Sequence, residues 1–246
     1  MGSVLCKRSL DSPTDVFYET KSVLDIDGNL LELIDAKGRS AMRYDYDMLG
    51  RVLKQHVFMD DGLYEILVER LFYGEAHPDA ATKNLNGRLV HHYDQSGVRI
   101  SDDFDFKGNL LTQTKYLIDD YVDDVDWSDI ETEDDPTDAL AASLSPAKLI
   151  NEAFTHVAEY DALDRPTSTT TPDGTEVRPT YNLGGLLQSL DARLRDEAEW
   201  TTFIDDIEYD EKGRRLVVDW GNGTETTYSY EELTFRLAHF KTTRPS

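Results

Sequence analysis

The sequence has few basic residues, one cysteine and no long apolar run. Its 25 lysines and arginines stand against 49 aspartates and glutamates, which gives a net charge of −24 at pH 7. This acidity excludes electrostatic binding to nucleic acid or to an anionic membrane. The single cysteine, Cys6, excludes an internal disulfide and a metal framework built from several cysteines.

Signals for a membrane or for export are also lacking. No apolar stretch reaches the length of about eighteen residues that a transmembrane helix needs. The N-terminus does not have the basic and then apolar pattern of a signal peptide. What the chain does have is 39% hydrophobic and 10% aromatic residues over 246 positions, enough to form a packed layer.

A short sequence motif recurs along the chain: an aromatic residue, Asp, two variable residues, Gly, and often Arg or Asn. Asp bonds the backbone two residues on, and a Gly three positions later supplies the positive φ of a tight reversal. Aromatic and β-branched residues flank each copy, as in strands. We therefore predict a strand, a four-residue turn and a strand for each copy. The predicted repeat residues are Tyr46, Asp47, Gly50, Arg51, Tyr93, Asp94, Gly97, Phe104, Asp105, Gly108, Tyr160, Asp161, Arg165, Tyr181, Gly185, Tyr209, Asp210, Gly213 and Arg214.

The repeats predict an all-β fold, an irregular antiparallel array of β-hairpins with one short helical insertion. Their spacing is too loose for a strict solenoid or a propeller. An isolated hairpin is only marginally stable, so the copies must lie side by side. We expect the repeat aromatics to stack across strands, and Arg51, Arg165 and Arg214 to bridge to the Asp of the neighbouring copy.

Four segments follow from this pattern. Residues 1–20 are an N-terminal strand or ragged end, residues 21–118 a first repeat block, and residues 153–246 a second one. Between the blocks, residues 119–152 form an acidic loop with a short helix, for which Ser145-Pro146 supplies the start. The acidic run 119–135 is expected to be a solvated loop, and whether it binds calcium stays open.

The sequence indicates no catalytic residue, cofactor site or metal site. Carboxylates are abundant, but nothing selects the pair that a glycosidase needs. Asp25-Ile26-Asp27-Gly28 resembles the start of an EF-hand, yet its Gly comes too early and Ala36 stands in the place of the bidentate Glu. His91 and His92 are adjacent on a strand and point to opposite faces, so they cannot share one metal.

Longer runs between the repeats carry a family resemblance. The chain resembles the Rhs or YD-repeat family, and most closely the YD-repeat shell region of the B/C components of bacterial insecticidal toxin complexes. The resemblance covers roughly residues 20–244. The runs that carry it are Phe72-Tyr73-Gly74-Glu75, Asn84-Leu85-Asn86-Gly87, His92-Tyr93-Asp94-Gln95, Val125-Asp126-Trp127-Ser128, Thr171-Pro172-Asp173-Gly174-Thr175 and Gly221-Asn222-Gly223-Thr224.

The resemblance implies a structural role. In that family the hairpins form a curved sheet that is part of a hollow shell wall around a toxic polypeptide. The implied partners are further shell repeats, other toxin-complex subunits and an enclosed toxin, with a secreted or extracellular location. The family's self-cleaving Asp-Pro segment has no match here, since Asp135-Pro136 lies in the acidic loop. Two alternatives stay open: an extracellular module that binds carbohydrate or protein through exposed aromatics, and a carboxylate-dependent hydrolase.

Overall fold

The structure, a computed structural model, describes the chain except residues 1–2, 10–17, 35–39, 60–62, 145–147 and 245–246. For residues 3–9, 18–20 and 40 it describes the backbone only. The described residues form seventeen β-strands and one α-helix, which group into two compact units. The prediction of an all-β hairpin array with one short helix is confirmed.

The first unit comprises Met1–Gly108 and Gln113–Ala153. Consecutive strands from β1 to β8 pair antiparallel, and β9 lies next to β8. The elements are β1 Ser3–Ser9, β2 Tyr18–Leu24, β3 Leu30–Ile34, β4 Ser40–Tyr46, β5 Val52–Met59, β6 Tyr64–Tyr73, β7 Leu89–Asp94, β8 Gly97–Phe104, β9 Leu110–Leu117 and the helix α1 Pro136–Leu144.

The second unit comprises Asn109–Thr112, the start of β9, and Phe154–Ser246. Its eight further strands are again an antiparallel meander in sequence order. They are β10 Phe154–Tyr160, β11 Pro166–Thr170, β12 Glu176–Tyr181, β13 Leu187–Arg193, β14 Thr201–Tyr209, β15 Arg215–Trp220, β16 Glu225–Tyr230 and β17 Leu237–Thr243.

The first unit has a hydrophobic core between its sheet and the acidic segment, residues 119–135. Trp127 and Ile130 of this segment are both 0% exposed, and they pack with Leu67 and Tyr93 of the sheet. The backbone N–H of Trp127 donates to the carbonyl of Leu67 at 2.9 Å. The expectation that the acidic run is a solvated loop is therefore wrong at these positions. Most of its aspartates are exposed, but Trp127 and Ile130 cover the sheet, with Val125 packed beside them.

Helix α1 begins earlier than expected. The backbone N–H of Thr137 donates to Asp135 Oδ1 at 2.8 Å, so Asp135 caps the helix and Pro136 occupies its first position. The expected start, Ser145-Pro146, lies outside the described residues. With nine residues, α1 is short, and no helix in the described ranges has the length and apolarity to cross a membrane.

In the second unit few side chains are buried. Among its described residues these are Ala158, Ala192, Ile207, Val218 and Thr226. All five are small or medium in size, so little apolar area is removed from water. The stability of this unit must therefore come largely from contacts within the sheet and between its turns.

Replacing Trp127 by Ala tests the covering role of the acidic segment. We expect a loss of about 3–5 kcal/mol in the free energy of unfolding, because the indole leaves a cavity between the segment and the sheet. Urea unfolding followed by circular dichroism measures the loss. The control is Tyr121→Ala in the same segment, where the side chain is 85% exposed. Equal effects of the two substitutions would contradict the buried position of Trp127.

Candidate functional site

The Asp of each repeat closes its own turn. In the turn between β4 and β5, the N–H of Asp47 donates to the carbonyl of Arg51 at 3.0 Å. The side-chain Oδ1 of Asp47 accepts the N–H groups of Leu49 and Arg51, both at 2.9 Å. Gly50 has a φ of +74°, which a residue with a Cβ rarely adopts. The carboxylate thus satisfies donors that the reversal would leave without a partner.

The Arg that follows each turn binds the Asp of the same turn. Arg51 Nε donates to Asp47 Oδ2 at 2.6 Å. Arg165 does the same to Asp161 at 2.7 Å, and Arg214 to Asp210 at 2.6 Å. The expectation that these arginines bridge to the Asp of a neighbouring copy is wrong. The reason is spacing: an Arg four residues after the Asp lies directly across the turn from it.

Neighbouring copies are joined instead by the guanidinium and a Tyr. The Cζ of Arg51 lies 3.9 Å from the ring centroid of Tyr73, at the next turn along the same sheet edge. Arg165 lies in the same way 4.3 Å from Tyr181, and Arg214 lies 4.5 Å from Tyr230. The repeat tyrosines at these positions therefore stack on Arg. Tyr181 is the one of the three among the predicted repeat aromatics, and for it the expected stacking partner, another aromatic ring, is wrong.

The phenol of each such Tyr makes a second link. It donates to the carbonyl of the residue just after the Arg position of the preceding turn. Tyr73 reaches Val52 at 3.2 Å, Tyr181 reaches Pro166 at 2.9 Å and Tyr230 reaches Arg215 at 3.0 Å. Tyr46 and Tyr209 make the same bond to Leu30 at 2.8 Å and to Leu187 at 2.6 Å, although Asn29 and Leu186 hold the Arg position there. We call these linked turns the turn ladder.

In the ladder turns that carry an Arg, the negative charge of the Asp is paired with the positive charge of the Arg in the same turn. Hydrogen bonds from the side chain and backbone of Arg165 hold the pKa of Asp161 below its usual value. The backbone and side chain of Arg214 do the same to the pKa of Asp210. At Asp47, burial raises the pKa, but the bonds from Arg51 outweigh it and the net pKa is lowered. These carboxylates are therefore ionised at neutral pH and act as acceptors only.

Two copies with altered sequence keep the turn. Asp164, with a φ of +62°, takes the place of the missing Gly after Asp161. In the copy that begins at Tyr181, Asn182 Oδ1 accepts the N–H of Leu186 at 3.0 Å, as the Asp does elsewhere, and Gly185 has a φ of +79°. The turn therefore needs a side-chain oxygen at its first position and a residue that tolerates positive φ at its fourth.

The copy at Phe104 forms the same turn, but its contact with the preceding turn differs. Asp105 Oδ1 accepts the N–H of Lys107 at 2.9 Å and that of Gly108 at 2.7 Å, and Gly108 has a φ of +99°. The guanidinium of Arg88 lies 4.4 Å from the Phe104 ring. Since Phe has no hydroxyl, only the stacking half of the ladder contact is made.

The Tyr93 copy is not part of the ladder. Asp94 pairs directly with Gly97, so the loop has two residues where four were expected. Tyr93 is fully buried in the core, where its ring lies 5.1 Å from that of Trp127. A Cβ on Gly97 would lie 2.0 Å from the carbonyl oxygen of Tyr116, so this Gly permits a close approach of β9. The sequence of this copy matches the repeat, but Tyr93 packs in the core and does not link two turns.

Sequence reasoning missed two members of the ladder, Tyr73 and Tyr230. Neither is followed by Asp: Gly74 and Glu231 stand in that place. The available signal was a Tyr or Phe at the end of every second strand from β4 to β16, since alternate strand ends meet at one edge of a meander. Outside the ladder, Asp45, His56 and Glu131 are the one group of described residues whose ligand atoms lie close enough to hold a metal, within 4.8 Å of one another.

Removing single hydroxyls tests the ladder. We expect Tyr181→Phe and Tyr209→Phe each to lower the free energy of unfolding by about 0.5–1.5 kcal/mol, since each deletes one hydrogen bond and keeps the ring. The Tm in a thermal scan reports the change. Tyr228→Phe is the matched control, because Tyr228 packs on Phe240 and is not a ladder residue. A control as damaging as the two ladder variants would refute the proposed link.

Acid titration tests the paired carboxylates. A lowered folded pKa gives stability that is present above the unfolded Asp pKa of about 3.9 and is lost as pH falls through the folded value. We expect Asp210→Asn to destabilise the protein at pH 7 and to reduce the loss of stability below about pH 4. Asp196→Asn, with a side chain 88% exposed, is the control. An unchanged pH dependence in Asp210→Asn would be the contrary result.

Comparison with known proteins finds toxin subunits of similar sequence. No protein-family model matches the chain. It is 28% identical to toxin subunit YenC2 of Yersinia entomophaga over 183 residues, which are 73% of this chain and 18% of that subunit. It is 26% identical to toxin subunit YenC1 of the same bacterium, over 80% of this chain and 19% of that one.

A solved structure shares the fold. The crystal structure of TcdB2-TccC3-Cdc42 matches 99% of this chain and 14% of its own, with a TM-score of 0.72 and 21% identity. The chain spans less than a fifth of the length of the curated relatives it matches. The resemblance seen in the repeats is confirmed: the chain is homologous to a region of the Tc toxin subunits YenC1 and YenC2.

Proposed function

We propose that the chain is a segment of the wall of a toxin-enclosing shell, a structural scaffold and not an enzyme. The turn ladder carries this proposal. In each unit it links successive turns by a phenol hydrogen bond, and at several of them by an Arg stacked on a Tyr ring. Such a contact can be repeated for as many hairpins as a sequence supplies, which is what an extended wall requires.

The use of the repeat residues supports a structural role over catalysis. The carboxylates of Asp47, Asp161 and Asp210 each accept backbone N–H groups and bind an Arg. A general acid needs a raised pKa, whereas these three pKa values are lowered. The carboxylates of these three repeat aspartates are thus committed to turn formation.

The ladder tyrosines also argue against a glycan-binding surface. Sugar recognition by aromatics uses an open ring face. In Tyr73, Tyr181 and Tyr230 a guanidinium lies over the ring, and the hydroxyl is bonded to the backbone. These groups support the sheet edge and leave no free ring face on the stacked side.

The turn tips along the ladder edge support assembly with further repeats. At several turns, one or both of the two residues that follow the Asp or Asn are large, apolar and highly exposed. They are Ile26, Met48, Leu49 and Phe106 in the first unit, and Leu163 and Leu183 in the second. Exposed apolar groups in a row are typical of a surface that another protein part covers. The proposed partners are further shell repeats, other toxin-complex subunits and an enclosed toxin polypeptide, in an extracellular complex.

Sedimentation velocity tests whether this edge assembles. We expect the chain to associate as its concentration rises, because apolar turn tips are exposed. The double substitution Met48→Ser and Leu49→Ser should shift the population toward monomer. Leu63→Ser, at the opposite end of β5, is the matched control, because Leu63 is also highly exposed but lies off the ladder edge. A chain that stays monomeric at high concentration would contradict the proposal.

Two further results would overturn the scaffold role. Binding to a glycan array that is lost when an exposed Tyr is replaced by Ala would favour a recognition module. Hydrolysis of a substrate that is lost when one carboxylate is replaced by its amide would favour an enzyme. A scaffold gives neither result.

A further inference from the structure

One group of side chains outside the turn ladder has the composition of a metal site. Asp45 lies on β4, His56 on β5 and Glu131 in the acidic segment, and their ligand atoms lie within 4.8 Å of one another. Asp45 pairs with Lys54 across the two strands, and His56 pairs with Arg43. Because side chains two apart share a face of a strand, these four residues point to the same side of the sheet. Glu131 approaches them from the segment above.

His56 is the least expected member of the group. Its side chain is 3% exposed, yet its Nδ1 has no hydrogen-bond partner. Its Nε2 lies 3.3 Å from Glu131 Oε1. A buried polar atom without a partner costs free energy, and most such atoms in folded proteins are paired. Within the protein, this buried imidazole therefore has one contact, at Nε2, and no hydrogen-bond partner at Nδ1.

The ligand set selects a class of metal. Calcium and magnesium prefer oxygen ligands alone. One imidazole nitrogen with two carboxylate oxygens suits zinc and its neighbours among the divalent transition metals, with water in the remaining positions. We propose that Asp45, His56 and Glu131 bind a divalent transition-metal ion of the zinc class, which ties the acidic segment to strands β4 and β5. This site does not depend on the proposed shell function.

Positively charged side chains nearby lower the affinity of the site for a metal ion. Lys54 Nζ lies 3.5 Å from Glu131 Oε1, and Arg43 Nη1 lies 3.8 Å from Asp45 Oδ1. The buried Arg70 also interacts electrostatically with both Glu131 and Asp45. Lys54 therefore places a positive charge at the carboxylate that the metal ion would bind, and competes with the ion for it. This competition makes a specific prediction: removal of the Lys54 charge tightens metal binding.

Zinc titration of the full chain tests the site. The protein is freed of metal with a chelator and titrated calorimetrically with Zn²⁺ in excess Mg²⁺, which occupies the exposed acidic surface. We expect one saturable site per chain and a rise in Tm with Zn²⁺. His56→Gln, Asp45→Asn and Glu131→Gln should each weaken binding at least about tenfold, the loss that even an outer-shell change causes. Lys54→Gln should strengthen binding.

The matched control is His92→Gln. His92 Nε2 lies 3.7 Å from Glu69 Oε2, a similar pair of His and carboxylate that is not part of any three-ligand group of described residues. Its affinity for Zn²⁺ should equal that of the unchanged protein. Asp45 is partly exposed, so Asp45→Asn keeps the test valid if His56→Gln fails to fold. Absence of a saturable site, equal binding by Asp45→Asn, or weaker binding by Lys54→Gln would each overturn the proposal.

Discussion

The structure depends on one interaction, the acceptance of turn N–H groups by the carboxylate of the repeat Asp. At each of these turns it fixes where the strand ends, because the bonds to the N–H groups of the following residues form in only one register. A shift by one residue would turn every side chain of the strand to the other face. Only with the register fixed does each Tyr hydroxyl meet the carbonyl of the preceding turn, as Tyr181 meets Pro166.

The two units differ in how much buried apolar packing accompanies this interaction. The first unit has a second layer, in which Trp127 and Ile130 cover the sheet and remove large apolar side chains from water. The second unit has five buried residues in its described part, the largest of them Ile207. With so little apolar burial, the links between neighbouring turns bear a larger share of its stability. Substitutions in the ladder therefore matter most in the second unit.

The strands and turns were predictable because their signals are local. Alternation within a strand and the spacing from Asp to Gly within a turn need no knowledge of distant residues. The Arg contacts were not predictable in the same way, because an Arg can reach several acids and only the folded turn decides among them. The burial of Trp127 was hidden by the aspartates around it. Tyr73 was missed because the residue after it is Gly74, and its partner Val52 lies 21 residues earlier.

The turn also separates residues that folding requires from residues that it leaves free. The side-chain oxygen at the first position and the positive φ at the fourth are needed to close the turn, and an Arg after it, where present, binds the Asp and stacks on the next Tyr. The two positions between them contribute only backbone groups, so any exposed side chain would serve, and in so acidic a chain a polar one would be expected. Met48, Leu49, Phe106 and Leu183 are apolar instead. Folding does not explain this choice, whereas the proposed contact with further shell repeats does.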